Sequence, residues 1–154
     1  MSLLSKIRSI LFIFMLFLII TGSLAFMPEK VFATAYSLFE NTDSAFTNWL
    51  KKCHYSLQMV NKKYPYLFYG YDWLAFAHII IAIGFIGPIM QPVKNIWVVQ
   101  FGITACIGII PMSFIVGPIR EVPFYWQLVD CLFGVLGVIP LIIVHKKIKE
   151  LEKG

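Results

Sequence analysis

The sequence predicts an all-α integral membrane protein: a four-transmembrane-helix bundle with an extracytoplasmic amphipathic helical hairpin between helices 1 and 2. Three observations predict it. The chain is 59% hydrophobic and only 14% charged, with a mean hydropathy of +0.79. That balance excludes a disordered chain and argues against an ordinary soluble domain. The apolar residues gather in stretches of roughly 20 residues, the length at which a helix crosses a ~30 Å hydrocarbon core. Tyr64, Tyr66, Phe68, Tyr69, Tyr71 and Trp73 crowd the approach to one of these stretches, as amphipathic rings do at a membrane–water boundary. At 154 residues the chain reads as a single membrane domain, 1–154, with no internal repeat. Its spans are expected over about 9–26, 72–91, 96–117 and 122–144, with an outer helical segment over 27–70.

The first span follows Lys6 and Arg8 and contains an unbroken apolar run from Ile10 to Ile20. Ser23 and Ala25 are spaced as at a signal-peptidase site, and a cleaved leader is the competing reading. A retained helix is preferred, and either reading sends the next segment across the membrane. In the outer segment, Pro28 suits a first helical turn and Glu29 complements its positive end. The spacing predicts an amphipathic helix through Phe39, then a break and capping signal at Asn41-Thr42-Asp43. A second helix follows from about Ser44 to Asn61, where Phe46, Trp49, Leu50, Cys53, Leu57 and Val60 recur at helical spacing. Lys62-Lys63-Tyr64-Pro65 ends it.

The second span carries His78, which shares a face with Ala75 and Ala82, while Gly84, Gly87 and Pro88 loosen or kink its far end. A short turn at 91–95 sets the third span antiparallel to it. The third span bears a small-residue stripe, Gly102, Ala105, Cys106, Ile109 and Ser113. Pro111 frees a carbonyl there that packing neighbours, Ser113 or water would satisfy. In the fourth, Pro123, Gln127, Asp130, Cys131, Gly134, Gly137 and Leu141 fall on one side of a helix. Tyr125, Leu128, Val129, Leu132, Leu136, Ile139 and Ile143 fall on the other. A carboxylate in mid-span costs roughly 2.5–3.5 kcal/mol, and small residues let backbones approach, so Asp130 is expected to face protein. The charged end from His145 continues as helix.

Orientation rests on the lysines and arginines. With four spans, Lys6, Arg8, Lys94, Lys146, Lys147, Lys149 and Lys153 share one side, and Lys30, Lys51, Lys52, Lys62, Lys63 and Arg120 the other. The counts nearly balance, but the terminal lysines cluster beside a span, which places both termini in the cytoplasm of a plasma (bacterial inner) membrane. The formal charge of +5 therefore reads as topology and lipid contact. No nucleic-acid signature accompanies it.

Four polar residues in the spans form the expected intramembrane site: Asp130, His78, Gln127 and Ser113. His78 lies seven residues from Tyr71, and Asp130 seven from Pro123, each about 10 Å of helical rise, with Ser113 about 6 Å below Gly117. The four are thus expected at similar depth, under a rim of Arg120, Asp72 and Glu121. A buried layer that fixes helix register is one reading, and an outward-open pocket beneath the aromatic hairpin is another. Acid–base or redox chemistry at the His78/Asp130 pair is a third. Three cysteines without a CxxC pair give no disulfide framework and no metal site. Only His78 lies within a span, so bis-histidine haem is not expected within one chain, and no cofactor is predicted. The expected function is non-catalytic: a binding or accessory subunit engaging a lipid, a small ligand or a partner membrane protein on the outer side. Membrane lipids and a partner membrane protein or homo-oligomer are its expected partners. A small membrane enzyme or proton-coupled transporter is the alternative.

Overall fold

The computed structural model describes residues 2–153, and every regular element among them is helical. Four helices are long and apolar enough to cross a membrane. The chain runs through α1 (Leu3–Ala25), α2 (Pro28–Phe39), α3 (Ala45–Lys63), a 3₁₀ turn (Pro65–Phe68), α4 (Tyr69–Gly84), α5 (Ile86–Met90), α6 (Ile96–Ile119) and α7 (Phe124–Lys153).

Local chemistry accounts for most of the helix ends. Helix α1 starts earlier than its apolar run because the Ser2 hydroxyl accepts the Ser5 N–H at 3.2 Å, the N-cap role of a short polar side chain. Pro28 occupies the first turn of α2, with Glu29 beside it. At α3 the cap is Ser44, whose hydroxyl accepts the Thr47 N–H at 3.1 Å. The Tyr64 N–H closes the far end onto the Val60 carbonyl. Span 72–91 is not one straight helix. Pro88 lacks the N–H that would bond the Gly84 carbonyl four residues back, and its ring crowds that carbonyl. The helix accordingly stops at Gly84 and resumes at Ile86. By contrast α6 runs through Pro111 and α7 through Pro140.

Two compact units divide the chain at 16/17 and 82/83, inside α1 and α4. The first takes the residues up to Leu16 and those from Ile83. Its core joins Ile7, Leu11, Phe85, Val99, Leu141, Val144 and Ile148, all fully enclosed. Phe14 and Phe85 meet with ring centroids 4.9 Å apart. Helices α6 and α7 pack along their small residues, and their partners run in opposite directions. An added Cβ on Gly117 would meet the Gln127 side chain, one on Gly134 the Cys106 carbonyl, and one on Gly102 the Leu141 side chain. Arg8 secures α5, its Nε donating to the Ile89 carbonyl at 2.9 Å and its Nη2 to that of Met90 at 3.3 Å.

The second unit is Phe17–Ala82. Here α2 and α3 pack together: Phe39 meets Phe46 edge-to-face at 5.4 Å, Tyr36 stacks on His54 at 6.3 Å, and Thr47 Oγ1 donates to the Phe39 carbonyl at 3.4 Å. Gly22 lets α1 and α4 approach, since a Cβ there would lie 2.7 Å from His78 Cβ and 3.2 Å from the Ala75 carbonyl.

Candidate functional site

The expected polar residues fall in both units. Ser113, Gln127, Asp130, Arg120 and Glu121 belong to the first, and His78 and Asp72 to the second.

In the first unit the joint between α6 and α7 is built by hydrogen bonds. The Val122 N–H reaches back to the Gly117 carbonyl at 2.9 Å and the Glu121 N–H to that of Pro118 at 3.1 Å. This paired return closes a helix end with one left-handed residue. That residue is Glu121, at φ 57°, in a position that glycine usually fills. Gln127, only 4% exposed, lies over Gly117 and donates its Nε2 to the Val122 carbonyl at 2.8 Å. Ser113 Oγ donates to the Gln127 carbonyl at 3.1 Å.

The structure thus brings Ser113 and Gln127 together and gives both a structural task. The Ser113 hydroxyl is committed to α7, so it is not the group that satisfies the carbonyl freed by Pro111. Gly117, which makes room for Gln127, lies outside the small-residue stripe expected from the sequence. Asp130 is half-buried, one turn along from Gln127, and Cys131, Gly134 and Gly137 on the same side are buried. Leu128, Leu132, Leu136 and Ile139 are exposed, as the division into two faces predicts. Within the small-residue stripe of α6, Ala105 departs from expectation and is exposed. Arg120 and Glu121 are exposed at the turn, and among the described residues the only ion pair is Lys149–Glu152.

In the second unit, His78 is half-buried and its Nδ1 donates to the Leu74 carbonyl of its own helix at 2.9 Å. In a neutral ring this bond leaves Nε2 as the acceptor. Asp72 is exposed and lines an open cleft of about 310 Å³ with Phe26, Tyr69, Trp73 and Phe76. The rings stand nearly perpendicular in succession: Tyr69 and Trp73 at 6.0 Å and 88°, Trp73 and Phe76 at 5.9 Å and 89°. A neighbouring cleft of about 160 Å³ shares Phe26 and is lined on its polar side by Glu29, Lys30 and Asn61. The sequence reading puts Asp72 at the rim of an outer pocket and the aromatic rings in its roof, but does not single out Tyr69, Trp73 and Phe76 as walls of one cleft with Asp72. Its signal was there, because positions 69, 72, 73 and 76 follow the spacing of one helical face.

On α3, burial pushes the Cys53 thiol above its ordinary range, and Lys52 beside it pulls weakly the other way. Among the described residues, no three His, Cys, Asp or Glu side chains gather as metal ligands would.

These features define an all-helical protein with four helices long and apolar enough to cross a membrane. Comparison of the chain with protein-family models, with curated proteins and with solved structures finds no match.

Proposed function

We propose that this chain is a multi-pass protein of the plasma (bacterial inner) membrane, with both termini in the cytoplasm and α2 and α3 forming a helical hairpin on the outer side. It serves as a non-catalytic binding or accessory subunit that engages a lipid, small ligand or partner membrane protein there. The observation that carries this reading is the cleft of Phe26, Tyr69, Asp72, Trp73 and Phe76. It is a concave aromatic surface with one carboxylate, at the end of α4 where the polar helices join. Binding sites combine apolar walls with a few placed polar groups in this way. The polar residues of α6 and α7 support a non-catalytic role, because Ser113 and Gln127 are occupied in holding the α6–α7 turn.

Gentle detergent extraction followed by native mass spectrometry tests the proposal. A bound lipid, small molecule or partner protein is expected, and it should persist in Asp130→Asn. A bare monomer would sink the proposal. Orientation has its own test. With Cys106 and Cys131 replaced by serine, Cys53 should react with a membrane-impermeant maleimide in intact cells. Labelling only after lysis would reverse the assigned topology.

A further inference from the structure

We propose that the cleft at the start of α4 binds an organic ammonium group, set against the rings of Tyr69, Trp73 and Phe76 and paired with the Asp72 carboxylate. The inference rests on reading this region as the binding surface, and it names the chemistry that the surface takes.

Five residues line the cleft, and Asp72 is the only ionisable carboxylate among four aromatic residues, with no lysine or arginine in the wall. The faces of aromatic rings are themselves negative. An anion would meet repulsion from both, and a neutral acyl chain would have no use for Asp72. Among the described residues no ion pair engages Asp72, so its charge is available to an incoming cation.

Shape then narrows the class of cation. Tyr69, Asp72, Trp73 and Phe76 share one face of α4, and Phe26 adds a wall from beyond the end of α1. Successive rings are turned by 88° and 89°, so they cannot all lie flat against one planar ligand. Walls at right angles suit a rounded group that meets more than one ring face at once. Alkylated ammonium has that shape, and it is recognised by aromatic cages. It also gives up its water more readily than the compact, strongly hydrated ammonium of a lysine. A volume of about 310 Å³ stands at the lower end of the roughly 300–1,000 Å³ of small-molecule sites, and it leaves room for the group that carries the cation. Such a cation arrives either as a choline lipid headgroup or as a free quaternary amine.

The test uses the full-length chain and has two arms. In the first, choline and its neutral tert-butyl isostere, dimethylbutanol, are titrated by calorimetry into protein in micelles free of ammonium groups. Choline should bind at least about tenfold more tightly. Asp72→Asn should reduce that preference several-fold and Asp72→Glu should retain it, while Trp73→Leu should weaken choline about fivefold. Asp72 and Trp73 are both exposed, and unchanged melting of each variant verifies that it folds. In the second arm, nanodiscs of equal phosphatidylcholine and phosphatidylglycerol are examined by native mass spectrometry after release. Preferential retention of phosphatidylcholine, reduced in Asp72→Asn, assigns the cation to a lipid headgroup. Choline binding without lipid preference assigns it to a free amine.

Equal binding of choline and dimethylbutanol, or a cation preference undiminished in Asp72→Asn, overturns the inference, as does failure of both arms. If both arms fail while another lipid or a partner remains bound and is lost in Trp73→Leu, the proposed function stands and only the ammonium assignment falls. If the chain is bare in every experiment, both fall.

Discussion

Replacing Gly134 by alanine probes the packing of α6 against α7 most directly. A Cβ there would lie 2.6 Å from the Cys106 carbonyl oxygen and 3.3 Å from Ile109 Cβ, where ordinary contact begins at 3.4 Å. The oxygen belongs to the backbone of α6, so it cannot rotate aside and the helices must separate. Overpacking of this kind costs roughly 1–3 kcal/mol, against a gain of about 1 kcal/mol in helix propensity. The expected net effect is a loss of about 1 kcal/mol. Gly108, also on α6, has nothing within 4 Å of its added Cβ, so Gly108→Ala should be neutral or stabilising by up to about 1 kcal/mol. Gly137→Ala should fall between the two, because its obstruction is the Cys106 thiol at 2.7 Å, which can swing away. Gly134→Leu should be more damaging than Gly134→Ala, and Leu132→Ile on the exposed face should be mild. Thermal unfolding of the four glycine variants and of Leu132→Ile in one detergent measures the order. If Gly134→Ala melts at or above Gly108→Ala, or if Gly134→Leu and Leu132→Ile behave alike, the assigned α6–α7 interface is wrong.

Three further outcomes are expected. Glu121→Gly should raise the melting temperature, since a side chain in the left-handed region costs roughly 1–2 kcal/mol and glycine avoids that cost; an unchanged or lower value would contradict the turn geometry. Gln127→Leu removes the donor to the Val122 carbonyl and should cost about 1 kcal/mol in the same assay, whereas Leu128→Ala on the exposed side of the turn should cost less. Cys53 should alkylate more slowly at neutral pH than an unhindered thiol, because burial holds its proton on. The unfolded thiol ionises near its ordinary value of about 9.0 while the folded one still holds its proton. Stability contributed by the neutral thiol is therefore present below that pH and declines as pH rises beyond it. Fast labelling at neutral pH, or melting that improves through this range, would contradict the assignment.

The helices were legible because each rests on local signals. Pro28 and Glu29 mark a helix start, Ser44 sits where a cap was expected within one residue, and Pro88 acts on a carbonyl four positions back. The two faces of α7 were legible because a bilayer-length helix must hide Gln127 and small residues from lipid while Leu132 and Leu136 need no cover. Two features were not. Gln127 bonding to Val122 depends on a turn closed by Glu121 in a left-handed conformation, and nothing in a glutamate announces that. The aromatic cleft needs Phe26, 43 positions before Tyr69, and helical spacing carries no information about a wall supplied from another element. Ser113 shows a different limit. Its hydroxyl had several acceptors within reach in principle, and the choice of the Gln127 carbonyl was made by the packing of α6 on α7.

The fate of these polar groups is the reason the proposed binding is placed at Asp72. A buried amide or hydroxyl must find a partner, and leaving one unmade costs roughly 1–3 kcal/mol. Gln127 and Ser113 have spent their hydrogen bonds on the α6–α7 joint, and His78 has spent one on Leu74 in its own helix. A ligand taken up at those groups would have to break bonds that hold helices in register. Asp72 has no such commitment: it is exposed, it is joined by no ion pair among the described residues, and it stands in a wall of rings. A ligand there displaces water and disrupts no helix contact. The two sets of variants are therefore separable. Changes at Gln127 and Ser113 should lower melting temperature first, and changes at Asp72 and Trp73 should alter what the protein retains while its melting stays the same. If Asp72→Asn destabilised the fold as much as Gln127→Leu, the cleft would be a structural element and the placement of binding there would fail.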